Sequence, residues 1–427
     1  MRILIVTPYL PHAQIGHGGG SAVRSLVAEL ARRHEVAIVS LLRPGEADLI
    51  ESVTELGVAV HPVPFVDRAA AGGARLGLAA TRALAVGRAL LTGYPFYVTK
   101  YASTALSTTT ISVAQSWRPD VIQVEYLQLA LLMRSLRRWR ERSNETATPR
   151  LILDSHELGS LPRRRRATTA RGPHRAWLRA TAAAWDRLAR DASRWADSTL
   201  CVTDQDRRLY QQAGGSNLIT IPLGIDTRSL QPVRDVDPPA RVLFLGSFRH
   251  PPNHRAAALL CDHIWPLARP QLPDWELVLA GPGSDAFLAE RTSKPAGVRA
   301  TGFVPDLTDL FRSSRLFAAP LTEGGGIKIK ILEAMARGIP VVTTPIGAEG
   351  ITVQSDDLVA WAETPADFAA ALVAAAEDLP GARLRAARAR RHVERFFGWE
   401  TVVQRLEAAY TGVAGSGAPD LPEEFGR

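Results

Sequence analysis

The densest chemistry in the chain lies in Thr322-Glu323-Gly324-Gly325-Gly326-Ile327-Lys328-Ile329-Lys330-Ile331-Leu332-Glu333-Ala334-Met335-Ala336-Arg337-Gly338. Gly324, Gly325 and Gly326 let the backbone come close to a bulky anion. A helix that begins directly after them offers unpaired N–H groups and a positive dipole end. Lys328 and Lys330 fall in its first turn. Lys330 and Glu333, three apart, share one face, while Ile327, Ile331 and Met335 repeat every four and form another, fit to pack on a sheet. The chemistry this pattern supports is capture of a nucleotide, with lysines on the diphosphate and a carboxylate on ribose hydroxyls. The same residues also read as an ordinary surface helix, its lysines solvated and Glu333 paired with one of them.

The elements around this stretch bear on the choice. Gly338 stops a helix of about three turns, and Ile339 to Thr344 reads as a buried strand. At the amino terminus, Ile3-Leu4-Ile5-Val6 is a continuous apolar strand, and Gly18-Gly19-Gly20-Ser21 opens a helix through about Arg33. Strand, glycine turn and helix are the first unit of a doubly wound sheet. The spacing is not that of a dinucleotide fingerprint, and no acidic residue ends the next strand, Val36 to Ser40. Further strands are expected at Val58–Val60, Val121–Val124 and Leu151–Asp154, alternating with helices, which implies a parallel sheet with right-handed crossovers. Asp154-Ser155-His156-Glu157 and Glu125-Tyr126 directly follow their strands, at the end where such sheets place ligands. A His there is equally a loop residue making a backbone hydrogen bond.

Gly172 to Trp195 reads as one or two amphipathic helices with core-facing indoles at Trp177, Trp185 and Trp195. Thr199 to Thr203 is a strand, and Asp204-Gln205-Asp206 caps the next helix. The stretch Gln231 to Ala240, with three prolines, is the best linker. The grammar then restarts: Arg241 to Leu245 ends at Gly246, Pro252-Asn253 precedes a helix to about Leu267, and Trp275 to Ala280 is a strand. Val298 to Pro305 is a short strand with its turn, and Leu316 to Pro320 leads into the glycine stretch. The fold class is therefore α/β, with two Rossmann-like doubly wound domains facing each other across a cleft. The expected bounds are 1–230 for the first domain, 231–240 for the linker and 241–395 for the second. A last helix is expected at 396–411, and a mobile tail follows at 412–427.

With 427 residues the chain suits two domains of about 200 residues, and 46% apolar content is ordinary for a globular protein. The net charge of +8 is uneven, with clusters at Arg137-Arg138-Trp139-Arg140 and Arg163-Arg164-Arg165-Arg166. Such runs form solvated faces or mobile loops, or touch acidic lipid or a phosphorylated acceptor. No zinc-finger spacing or ribonucleoprotein motif accompanies them, which argues against nucleic acid. Two cysteines, Cys201 and Cys261, make neither a disulfide framework nor a metal cluster and suit a reducing cytoplasm. The first apolar run is too short for a signal peptide, and Leu76 to Leu91 is interrupted by Arg82 and Arg88, so no membrane span is expected.

Leu332-Glu333-Ala334-Met335-Ala336-Arg337-Gly338-Ile339-Pro340-Val341-Val342, Gly302-Phe303-Val304, Leu245-Gly246 and Ile221-Pro222-Leu223-Gly224-Ile225-Asp226 together resemble the GT-B-fold glycosyltransferases of family 4, the retaining nucleotide-sugar-dependent type. The resemblance covers nearly the whole chain, and Phe397-Gly398-Trp399-Glu400 with its helix resembles the family's returning helix. It implies that the second domain holds the nucleotide sugar and that Glu333 binds ribose. The family's earlier glutamate, seven residues before, falls on Gly325, with Glu323 displaced by two. The chain more closely resembles a subgroup with a glycine loop and Lys before the Glu, so sugar contact is expected here from the backbone amides around Gly325 and Gly326 instead of a carboxylate. The usual phosphate-binding Arg and Lys after the strand ending at Gly246 are matched by Arg249 alone, leaving Lys328 or Lys330 to supply the second charge.

On this resemblance Lys330, Arg249 and His156 are the catalytic candidates. Glu333, Lys328, Gly324, Gly325, Gly326, Gly246, Phe303, Val304, Gly19 and Gly20 are the donor-binding ones. Preorganised cations and backbone dipoles stabilise a leaving diphosphate without reorganisation. No Asp-x-Asp motif appears where a metal would bridge it, so metal-independent transfer is expected, with no cofactor beyond the nucleotide-diphosphate sugar as co-substrate. The expected acceptor is a glycan, lipid-linked or small-molecule hydroxyl, chosen by loops from His12 to His17 and Leu158 to Arg175. The expected location is the cytoplasm, including peripheral contact with the anionic inner face of the membrane. A nucleotide-sugar epimerase of the same fold and a non-catalytic nucleotide-sugar-binding partner remain as alternatives.

Overall fold

The computed structural model describes the chain except residues 14–17, 67–73, 144–147, 157, 233–237, 293, 352–357 and 413–427. It forms two compact units, one built from Met1–Gly224 and the stretch that begins at Val402, the other from Ile225–Thr401.

In the first unit, strands β1 (Arg2–Thr7), β2 (Glu35–Leu42), β3 (Ala59–Pro64), β4 (Val121–Glu125), β5 (Arg150–Asp154), β6 (Ser198–Cys201) and β7 (Leu218–Thr220) form one parallel sheet. Its order is 3-2-1-4-5-6-7. The second unit repeats the plan with β8 (Arg241–Leu245), β9 (Glu276–Ala280), β10 (Val298–Ala300), β11 (Leu316–Ala319), β12 (Val341–Thr343) and β13 (Ala360–Trp361), in the order 10-9-8-11-12-13. Helices connect the strands, so each sheet is covered on both faces. That is why Ile3 to Val6 and Val242 to Phe244 run as unbroken apolar stretches with no exposed surface. The direction of sheet growth reverses between β1 and β4, registered at Ile3 with Val121, and between β8 and β11, at Phe317 with Leu243. The loops after those four strands occupy the switch points where doubly wound sheets bind ligands. These are the two Rossmann-like domains read from the sequence.

Several local expectations change. Gly172–Trp195 is a single helix whose buried stripe is Leu178, Ala182, Trp185, Ala189 and Ala192. Trp177, one position off that stripe, is 58% exposed, so only one of three indoles enters the core fully. Arg163 to Arg166 lie on a helix, Ser160–Thr169, rather than in a loop. Asp204 does not cap its helix; Thr203 does, accepting the Asp206 N–H while its hydroxyl donates to the Asp206 carboxylate. The helix from Pro251 passes through a π turn at Leu260–Ile264, just ahead of Pro266, whose ring cannot join the regular ladder. The two-residue strand β13 was not anticipated. The glycine stretch gives a helix of eight residues, Ile329–Ala336, with Lys328 as its N-cap rather than in its first turn.

The last helix is Trp399–Thr411, since Phe396 and Phe397 finish the preceding one, Leu379–Phe397. Within the first unit its Tyr410 hydroxyl donates to Gln123 Oε1 on β4 at 2.5 Å, and Glu407 pairs with His34 at 2.9 Å. The units part at Gly224 and Ile225, ahead of the expected boundary at 230. Residues 233–237 of the expected linker, 413–427 of the expected tail and part of the His12–His17 loop lie outside the described residues. Among the described residues no helix is long and apolar enough to cross a membrane.

Candidate active site

In the second unit the side chains gather at the carboxyl ends of β8 and β11. Lys330 leaves the first turn of its helix and reaches the loop after β8, where its ammonium donates to Asn253 Oδ1 at 2.5 Å and lies 5.2 Å from the Phe244 ring centroid. The Asn253 amide in turn donates to the Ser247 carbonyl at 3.0 Å. Gly246 makes this approach possible, for a Cβ there would stand 2.8 Å from Asn253 and 2.9 Å from Lys330 Nζ. Lys330 as a whole is half-buried, its ammonium end being the more enclosed part. Burial, with a smaller contribution from Lys328, lowers its pKa to about 7. Desolvation and Lys330 likewise lower the pKa of His250. Arg249 sits in the same turn, exposed. Among the described residues the Lys330 ammonium has no carboxylate partner, a place that a phosphate group would fill.

The glycine loop is shaped from beneath. Gly324 and Gly326 take φ values of 119° and 63°, left-handed conformations that a side chain resists. The Lys328 ammonium donates to the Gly326 carbonyl at 2.6 Å and pairs with Glu349 at 3.3 Å, both side chains being about nine-tenths buried. Its charge is thereby spent on the loop. Gly325, the position of the family's earlier glutamate, has a φ outside the left-handed range, and a Cβ there would meet open space. Glu323 pairs with Arg255.

Glu333 pairs with neither lysine. Arg337, one turn on, donates to its Oε1 through Nε at 3.2 Å and Nη2 at 3.1 Å. Arg337 is itself fixed over the Phe311 ring at 4.8 Å. Burial raises the Glu333 pKa against the opposing pull of Arg337. The helix ends in a Schellman motif, with Gly338 N–H bonding to Met335 and Ile339 N–H to Ala334, and Gly338 at φ 67°. The turn after β10 is held by Ser284, whose hydroxyl accepts the Gly302 N–H at 3.0 Å; beyond it Phe303 is 69% exposed and Val304 half-buried.

The first unit holds a separate cluster at its own switch point. Glu125 ends β4 and Asp154 ends β5, in register with each other. His156 Nε2 lies 2.6 Å from Glu125 Oε2, and its ring stacks on Tyr126 at 3.8 Å and 7°. Tyr126 and His156 both have positive φ, 68° and 55°. Asp154 accepts the His156 N–H at 3.3 Å, and burial raises its pKa to about 6, with Glu125 adding to the rise and His156 opposing it. Gly19 and Gly20 begin the helix Gly18–Ala31, and a Cβ on Gly19 would collide with the Tyr126 hydroxyl. Glu125, Asp154 and His156 each bring one ligand-type atom within 4.8 Å. Glu125 Oε1 accepts from Gln123 at 2.7 Å and Oε2 meets the imidazole, so the cluster is built as a hydrogen-bonded network.

Sequence reasoning gave no role to Asn253, Arg337, Glu349, Gln123 or Tyr410. Glu349 carried a usable signal, since it follows β12 between Gly347 and Gly350. Tyr410 carried none, its partner lying 287 residues away.

The tandem arrangement is also that of known proteins. A model described as "Glycosyl transferase 4-like domain" matches residues 17–224, and one described as "Glycosyl transferases group 1" matches 239–378. The chain belongs to the GT-B glycosyltransferases of family 4. It is 32% identical over 232 residues to a phosphatidyl-myo-inositol mannosyltransferase of Mycolicibacterium smegmatis, covering 51% of this chain and 58% of that protein. It is 31% identical over 172 residues to the lipopolysaccharide core biosynthesis mannosyltransferase LpsB of Rhizobium meliloti, covering 34% and 48%. The chain thus spans about half the length of these relatives. The solved structure of Anabaena Alr3699/HepE in complex with UDP superposes with a TM-score of 0.66 at 15% identity, covering 97% of this chain and 100% of that one, a likeness of fold.

Proposed function

We propose that this protein transfers a hexose from a nucleotide-diphosphate donor to a hydroxyl of a glycan, lipid-linked or small-molecule acceptor, with retention at the anomeric carbon and without a metal. The observation that carries the reading is the Lys330 ammonium, drawn out of water against Gly246 and Asn253 beside the glycine loop. In the reaction the bond from C1 to the diphosphate oxygen breaks as the bond from C1 to the acceptor oxygen forms, and the acceptor's proton departs with the nucleoside diphosphate. Lys330, Arg249 and the backbone of Gly324 to Gly326 stabilise the charge that develops on the leaving group. Glu333, whose Oε1 is taken by Arg337, offers Oε2 to the ribose hydroxyls. Phe303 and Val304 line the base, Lys328 acts through the loop it braces, and His156, Gly19 and Gly20 are the first unit's contribution to sugar contact.

The mannosyltransferase names of the relatives put mannose first among donor sugars to be tried. Their glycolipid acceptors favour a lipid-linked or anionic acceptor and a protein at the inner face of the cytoplasmic membrane. The helix Ala74–Thr92 supports this, with Leu84, Leu90 and Leu91 exposed by 63%, 81% and 89% beside Arg82 and Arg88. Flotation with vesicles containing anionic phospholipid is expected to carry the protein, and failure to float removes the membrane reading.

Calorimetric titration with UDP- and GDP-hexoses tests the core assignment. Lys330→Ala and Glu333→Ala should each weaken binding by about tenfold or more, the scale of one lost charge-assisted contact. Unchanged affinity in both variants would sink it.

A further inference from the structure

We propose that Glu125, oriented by Gln123 and Tyr410, is a positioning residue that fixes the orientation of the His156 imidazole by holding a proton on Nε2. This rests on the reading of His156 as a site residue. The hydrogen bonds have a direction that can be followed from one end. The Tyr410 hydroxyl has one hydrogen and donates it to Gln123 Oε1 at 2.5 Å. The Gln123 amide nitrogen is thereby placed against Glu125 Oε1, to which it donates at 2.7 Å. Glu125, with no exposed surface, is then an acceptor on one oxygen and 2.6 Å from His156 Nε2 on the other. A buried carboxylate is stable when its partners are donors, and Nε2–H is the donor within reach.

The ring's remaining freedom is removed by stacking. Tyr126 lies parallel to the imidazole at 3.8 Å, and both residues hold backbone conformations that cost energy for side chains of their size. Glu125 fixes rotation within the ring plane, Tyr126 fixes the plane, and the Asp154 carboxylate fixes the backbone turn by accepting the His156 N–H. Gln123, Glu125 and Tyr410 are all buried, so hydration does not account for their polar groups. A chain of polar groups sunk in an apolar core has a cost that the tautomer it imposes accounts for.

The test is nitrogen NMR of the full chain labelled with 15N-histidine, with the His156 signals assigned by their loss in His156→Gln. The expected wild-type pattern is a protonated Nε2 at His156. Glu125→Gln should abolish that pattern, because its amide can donate to Nε2 and drive the proton to Nδ1. It should lower kcat by about tenfold while leaving KM for the donor within about twofold. Tyr410→Phe, which removes only the first hydrogen bond, should shift the tautomer in part and lower kcat by a few fold; it serves if Glu125→Gln does not fold. A wild-type His156 with its proton on Nδ1, or a pattern unmoved in Glu125→Gln or, where that variant does not fold, in Tyr410→Phe, would overturn the proposal. Undiminished turnover in His156→Gln would instead count against His156 as a site residue, a failure that the NMR readout does not share.

Discussion

Binding of a nucleotide-diphosphate hexose should draw a proton from solvent when the pH is above neutrality. Burial lowers the Lys330 pKa to about 7, so at pH 8 only about one-tenth of the free protein carries the charge there. A diphosphate placed against Nζ restores the cation, and binding then takes up roughly 0.9 proton. Apparent affinity should fall about tenfold, or ~1.4 kcal/mol, between pH 6 and pH 8, because only the charged fraction is competent. A nucleotide sugar suits the measurement because its diphosphate has no group titrating in this range. Calorimetry at pH 8 in buffers of different ionisation enthalpy gives the proton count from the slope of observed enthalpy. Lys330→Met should remove most of the uptake, leaving whatever His250 contributes. Uptake near zero in the wild type, or equal uptake in Lys330→Met, would refute the reasoning. The unliganded protein carries the reverse sign. Its native state sheds this proton before the unfolded chain does, so stability rises with pH from about 7 toward the ordinary lysine value of 10.5.

The remaining predictions concern the loops and the first-unit cluster. Gly326→Ala should cost roughly 1 kcal/mol or more in chemical denaturation because of its φ of 63°, whereas Gly325→Glu, facing open space, should leave Tm nearly unchanged. Lys328→Met alone should destabilise by about 3 kcal/mol through loss of the buried pair with Glu349, and the double variant with Glu349→Gln should cost less than the sum of the two single ones; an additive double variant would deny the coupling. Asp154, its pKa raised to about 6, binds its proton more tightly folded than unfolded, so stability should fall by up to about 3 kcal/mol as pH rises from about 4 through 6. Asp154→Asn should flatten that slope. Transfer should survive EDTA, and loss of activity restored by a divalent ion would end the metal-independent reading.

The sequence by itself determined the elements whose causes are local. Apolar runs ending in glycine are strands that must be covered on both faces, and Ile331 and Met335 define the buried side of a helix whatever it packs against. That was enough for two parallel α/β domains and to single out the Lys330–Glu333 helix as a candidate site. It was not enough for the partners of those side chains. Spacing alone left Glu333 free to pair with a lysine, and the fold gave it to Arg337, which Phe311 holds in place. Lys330 became a buried, weakly basic amine only because the sheet order 10-9-8-11 sets β8 beside β11 and brings Gly246 and Asn253 to it, 77 residues away for Asn253. His156 was visible as a residue after a strand, but its orientation depends on Glu125, Gln123 and Tyr410, the last carried on the terminal helix. Periodicity and propensity act over a few residues and survive in the sequence. Desolvation, tautomer and pKa arise from groups distant in the chain that only the folded sheet brings within hydrogen-bond distance.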